Sequence, residues 1–230
     1  MKIISENSLF FGVFISLFAY EVGLLLKKKL KWAFLNPLLI SIVLVIFSLK
    51  MFRIEFKSFN EGAKYLSYLL TPATVCLAIP LYRQIRLLRE NFWAVILGIL
   101  AGVVSSLVSV LGLALLFGLN HAQYVTLLPK SITTAIGMGL SEEMGGYVTI
   151  TVAVIIITGI VGNILGEFVC KYFRIHHPIA RGLALGTSAH AIGTVKAMEM
   201  GEIEGAMSSL SIAVAGLCTV VGASVFAMFL

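Results

Sequence analysis

Aspartate is missing from this chain, and its acidic set is eleven glutamates. Paired-aspartate proton or sodium sites and aspartate-based catalysis are excluded with it. Charge of either sign is scarce: 12% of the 230 residues are charged, against about 25% in a soluble domain. In contrast, 59% are hydrophobic and the mean hydropathy is +1.02. That apolar surplus must face lipid, which excludes an ordinary soluble globule. The three cysteines, Cys76, Cys170 and Cys218, lie far apart without a CxxC and read as small packing residues. There is no G-x-S-x-G elbow, H-E-x-x-H or P-loop, so neither an enzyme, an ATP-driven pump nor a bound cofactor is expected. The net charge of +6 sits in short clusters between apolar runs, a membrane-topology pattern that needs no nucleic acid.

What the chain has is long apolar segments. A span needs roughly 20 residues, and 9–26, 32–49, 92–119, 147–167 and 207–230 all approach that length. The first of these holds Glu21, lacks an A-x-A site and runs into KKKLK, so it reads as a membrane span rather than a signal peptide. Three further stretches are apolar but broken: 65–82 with LLTPATVCLAIP, 127–146 with LLPKSITTAIGMGLSEEMGG, and 182–200 with GLALGTSAHAIGTVKAMEM. Backbone leaves the helix at membrane depth only where protein or a water-filled cavity satisfies it, so these are the candidate functional segments. Pro72 and Pro129 are the expected helix breakers, with Gly186 and Gly193 serving as break or packing positions. Gly98/Gly102 and Gly162/Gly166 are GxxxG pairs suited to close helix packing.

Two broken segments resemble each other. AIGMGLSEEMG from Ala135 and AIGTVKAMEMG from Ala191 share AIG and EMG at an offset of 56 residues. The spans that follow align as TVAVIIITGIVG from Thr151 against SIAVAGLCTVVG from Ser211, an offset of 60. The basic clusters Lys27–Lys31, Arg83–Arg89 and Lys171–Arg181 fall on one face, the cytoplasm, only if the segment at Pro129 enters and returns. The N-terminus is then outside and the two copies are inverted. The basic loop 50–64 counts against that orientation. The expected architecture is an all-α polytopic membrane protein of about six full spans plus two re-entrant or broken segments forming an inverted repeat. It makes a single membrane domain, 1–230, divided into a two-span scaffold (1–64), a broken segment plus long span (65–126) and repeats at 127–168 and 182–230.

Lys130 stands out, because an ammonium at membrane depth costs at least about 2.5 kcal/mol and needs compensation. It sits in Pro129-Lys130-Ser131-Ile132-Thr133-Thr134, where a helix starting after the proline would add free N–H groups and partial positive charge. Lys130, Ser131, Thr133 and Thr134 together suit a small carboxylate, unless Lys130 snorkels to the headgroups. His190, with Thr187, Ser188 and Thr194, is the corresponding feature of the second segment. An imidazole there either binds a carboxylate or satisfies unwound backbone. No metal site is expected from one such histidine. Glu142 and Glu143 read as a solvated turn, Glu199, Glu202 and Glu204 as an exposed link, and Glu21 and Glu167 as residues near span ends, paired or interfacial. Arg83, Arg86 and Arg89 suit anionic lipid headgroups.

LLTPATVCLAIPLY, LLPKSITTAIGMGLSEEMGG and RGLALGTSAHAIGTVKAMEMGEIEGAMSSL closely resemble the LrgB/CidB family of bacterial membrane proteins. The likeness runs the length of the chain. Ala135 stands where the family usually has proline, and Ala189 and Lys196 also depart from its commoner residues. The resemblance implies two competing roles. One is antiholin-like modulation of murein hydrolase activity and autolysis, acting with a small holin-like partner of the LrgA/CidA type. The other is secondary transport of small monocarboxylates or 2-hydroxy acids, because the related plant protein is a plastid glycolate/glycerate translocator and bacterial members are linked to pyruvate movement. A bacterial inner-membrane location and a homo-oligomer, a dimer at the simplest, are expected; a hole-forming oligomer ranks third.

Overall fold

The computed structural model describes residues 10–30, 36–76 and 78–230; the first nine residues, and with them the expected placement of the N-terminus, lie outside that set. Every regular element among the described residues is a helix. The chain divides into two compact units, 1–76 and 77–230, and the division falls inside the broken stretch 65–82.

The first unit holds α1 (Phe11–Leu30), α2 (Pro37–Met51), α3 (Phe56–Ser67) and α4 (Leu70–Cys76). Asn36 caps α2, its Oδ1 accepting from the Leu38 N–H at 2.8 Å, and Pro37 occupies the first helical position, where its missing donor costs nothing. Gly12 lets α1 rest on the backbone of Phe59 and Ala63, and Gly23 lets it rest on Pro37. Glu21 is exposed in the middle of α1 rather than near its end. Pro72 lies in the first turn of α4, where proline is tolerated.

The second unit holds α5 (Ala78–Arg83), α6 (Ile85–Glu90), α7 (Phe92–Phe117), α8 (His121–Leu127), α9 (Thr134–Glu143), α10 (Val148–Tyr172), α11 (Pro178–Met200) and α12 (Glu202–Phe226), closed by a 3-10 turn, Ala227–Phe229. Three helices among the described residues are long and apolar enough to cross a bilayer: Phe92–Phe117, Val148–Tyr172 and Glu202–Phe229. Helix α2 is apolar but has 15 residues. Gly118, at φ +62°, ends α7 with the left-handed cap that glycine adopts without strain. Asn120 and Gln123 then start α8 with a reciprocal capping box.

Helices α8 and α9 form the first hairpin. Pro129 and Gly137 face each other across the turn. Thr126 and Ser141, nearer its base, both lie against Thr151 of α10, at 3.0 Å from the Thr126 carbonyl and 2.7 Å from the Ser141 hydroxyl. The segment therefore enters and returns.

The second hairpin is α11 itself. Its backbone leaves helical geometry at Ala189 (φ −131°, ψ 17°) and His190 (φ 41°, ψ −138°), and the chain reverses. A Cβ at Gly193 would stand 2.7 Å from the Leu185 carbonyl oxygen; in a continuous helix, eight residues span about 12 Å. Going out, Gly182 and Gly186 pass Glu204 and Ser208 of α12. Coming back, Thr194 bonds Ser208 at 2.7 Å and Met198 lies on Gly205. Gly201 alone links the returning arm to α12.

The two hairpins enter from opposite ends of α10. The first lies along its N-terminal half, at Thr151 and Ile155. The second has its tip at Gly159 and Gly162 and its arms at Gly166 and Glu167. Helix α12 is used in reverse: Gly216, toward its C-terminus, meets Ile136 of the first hairpin. The repeat is thus inverted. Both long helices have 25 residues, at an offset of 54 rather than the 60 suggested by matching TVAVIIITGIVG to SIAVAGLCTVVG. Apolar residues are interchangeable on lipid-facing helix surfaces, so chance matches there do not fix a register.

Glycines hold the second hairpin. Gly98 and Gly102 of α7 meet Leu183 and Thr187, and Gly162 and Gly166 of α10 meet Ala189 and Leu185. On the hairpin itself Gly182 and Gly186 meet α12. Three small-residue pairs thus surround one half-helix, the close approach that packs helices in lipid. Gly186 packs in this way and breaks nothing; the break lies three residues later, at Ala189 and His190.

Candidate functional site

Lys130 is half-buried in the turn of the first hairpin, directly before the helix that starts at Thr134. Its Nζ donates to Ser131 Oγ at 3.0 Å, and Ser131, buried, shares a 3.2 Å hydrogen bond with Ser106 of α7. Thr133 occupies the N-cap of α9 without a side-chain cap bond, and Thr134 follows it; both are half-buried. Pro129 is fully buried. Of the expected group, Lys130 and Ser131 are joined by a hydrogen bond and Ser106 joins them, while Thr133 and Thr134 follow at the helix start.

In the second hairpin, His190 is 3% exposed and its Nε2 lies 2.9 Å from the Ile155 carbonyl oxygen of α10. A carbonyl only accepts, so Nε2 carries the proton and Nδ1 is the nitrogen left for any other partner. Thr194 bonds the His190 carbonyl at 3.0 Å and Ser208 at 2.7 Å. Thr187 Oγ1 donates to Leu183 O at 2.8 Å. Ser188 Oγ donates to Ala184 O at 2.6 Å and is exposed on the unit's surface. These hydroxyls are committed to backbone, the local bonding that Ser and Thr adopt inside helices.

The hairpin tips share neighbours. Thr187 lies on Gly102 of α7 and Ser131 on Ser106, one helical turn or about 6 Å further along. On α10, one residue meets both: the Ile155 side chain packs on Gly137, while its carbonyl receives His190. Pro72 belongs to the other compact unit. Sequence reasoning passed over Ser106 and Ser208, whose signal was a hydroxyl inside an otherwise apolar span.

Charge concentrates at the base of the second hairpin. Glu167 accepts from Lys171 at 2.9 Å and from Lys196 at 2.8 Å, and Lys196 also lies 3.5 Å from Glu199. Arg181 Nε donates to Ile175 O at 2.7 Å, and its Nη1 is 3.9 Å from Glu204. Glu167 is paired as expected. Glu204 is not part of an exposed link: it is 7% exposed, turned in beside Arg181 in the first turn of α12, where a helix N-terminus favours a carboxylate. Glu142 and Glu143, at the base of the first hairpin, are exposed.

Two re-entrant hairpins entering an all-helical membrane unit from opposite ends, with their tips packed between long spans, define a polytopic membrane protein built on an inverted repeat. The chain belongs to the LrgB-like family, whose match covers residues 16–229. It is 41% identical over 222 residues to proteins named antiholin-like protein LrgB from Bacillus mycoides (strain KBAB4), Bacillus cereus (strain B4264) and Bacillus anthracis (strain CDC 684 / NRRL 3495), covering 96% of each chain. No solved structure matches.

Proposed function

We propose that the chain is an antiholin-like protein of the bacterial inner membrane, restraining murein hydrolase activity and autolysis together with a small holin-like partner of the LrgA/CidA type. The observation that carries this reading is 41% identity over 96% of both chains to proteins of that name. Deleting its gene should raise autolysis, and restoring the intact chain should reverse the rise. Unchanged lysis in both strains would refute the role.

A second reading is favoured by the inverted hairpins: secondary transport of a small monocarboxylate or 2-hydroxy acid, such as pyruvate, glycolate, glycerate or lactate. Inverted repeats with broken helices meeting near the midplane are the usual frame of such carriers. Lys130, Ser131 and the start of α9 supply one cationic, donor-rich tip; His190 supplies the other. Proteoliposomes of the chain, with and without the holin-like partner, should take up labelled pyruvate or glycolate. Lys130→Ala should reduce uptake at least tenfold at equal protein content, and full uptake by that variant would remove Lys130 from the site. Autolysis that tracks gene deletion while no acid is taken up would leave the first reading alone.

A further inference from the structure

The charged base of the second hairpin encloses space. A cavity of about 230 Å³ opens there, walled by Glu167, Cys170, Lys171, Arg181, Lys196 and Glu199. At about 30 Å³ per water it has room for roughly seven, or for a three- or four-carbon acid with part of its hydration. Its wall carries three cations and two carboxylates, with the Glu204 carboxylate behind Arg181 at 3.9 Å. Lys171 and Lys196 are drawn to Glu167 at 2.9 and 2.8 Å. Arg181 is different: its Nε is fixed by Ile175 O, and its Nη1 stands 3.9 Å from Glu204, beyond hydrogen-bond reach. A guanidinium anchored at one nitrogen and lining a cavity suits two-point capture of a carboxylate. The arms of the hairpin contribute one cation each, Arg181 from the outgoing arm and Lys196 from the returning arm.

We propose that this cavity is a binding site for a small organic carboxylate, clamped between Arg181 and Lys196. It is separate from Lys130 and His190, which sit at the hairpin tips, and it stands whether or not the chain carries acids across the membrane. An occupant would compete with Glu167 and Glu199 for Lys196 and so loosen the tie between the returning arm and α10.

Cys170, buried in the cavity wall, supplies a local readout. The full chain in phosphatidylcholine nanodiscs, which hold no lipid carboxylate, would be treated with a small maleimide and modification followed at residue 170 by mass spectrometry. Pyruvate should slow that modification at least fivefold, and chloride at equal ionic strength should not. Arg181→Gln and Lys196→Gln should abolish the protection, Lys196→Arg should keep it, and Lys130→Ala should leave it unchanged. No protection by pyruvate, equal protection by chloride, protection that survives both glutamine variants, or a Cys170 that reacts only after denaturation would each overturn the proposal. Loss of uptake in Lys130→Ala with Cys170 protection intact separates this site from the transport reading.

Discussion

The two hairpins share a plan and differ in nearly everything that holds them. The first turns over the six residues 128–133, with Lys130 in the turn, and its base is fastened by hydroxyls, Thr126 and Ser141 on Thr151. The second turns in two residues, is gripped by three glycine pairs, and has its base fastened by ion pairs. One architecture can thus be assembled with two kinds of adhesive, and the chemistry at each end follows from the choice. At the first tip the six-residue turn carries a lysine and hydroxyls, with Gly137 meeting Pro129 and Ile155. At the second, the packing is tighter and the polar groups, His190, Thr187 and Thr194, are bonded to backbone carbonyls.

The largest effect should come from adding bulk where the second hairpin is gripped. A side chain at Gly162 would run into Ala189, whereas Gly139 in the first hairpin has open space. Gly162→Leu should cost about 3 kcal/mol through overpacking, seen as a large fall in unfolding temperature in detergent, while Gly139→Leu should change little. Equal effects would erase the contrast in packing.

A smaller difference should appear at the turns. His190 has φ 41° and ψ −138°, a conformation that costs a side-chain-bearing residue about 1–3 kcal/mol. His190→Ala and His190→Gly both lose the bond to Ile155, but glycine also sheds the strain, so the glycine variant should be the more stable by about 1 kcal/mol. At Lys130, which has no positive φ, alanine should be the more stable of the two. Thermal unfolding of the four variants checks both orders.

The smallest effect should be electrostatic. Glu167 is partly exposed, so Glu167→Gln should cost less than about 1 kcal/mol, and that cost should shrink with added salt. Glu142→Gln and Glu143→Gln, at the base of the first hairpin, should be neutral and insensitive to salt. Unfolding midpoints at low and high salt would reveal a network stronger or weaker than this.

Much of the fold was legible in the sequence. Pro129 and the AIG…EMG pair located both broken segments, and the placement of Lys171, Arg174 and Arg181 required the first to turn back. The exact site of the second break was hidden because the glycines that flank it, Gly186 and Gly193, are spent on packing, and the reversal falls on Ala189 and His190, residues without helix-breaking character. Glu204 was misplaced for a related reason: a glutamate beside Gly201 reads as a link, and only the folded hairpin brings Arg181 across to it. At the candidate site the residue types were readable, but the commitment of Thr187, Ser188 and Thr194 to backbone oxygens depends on local geometry that the letters do not carry.

Ile155 meets one hairpin with its side chain and the other with its carbonyl oxygen. A single residue in the N-terminal half of α10 is therefore geared to both halves of the repeat, one by steric fit and the other by a hydrogen bond. A rotation of α10 that lifts its side chain off Gly137 also swings the carbonyl from His190, so the two tips are meshed at one tooth rather than hung independently from the same post.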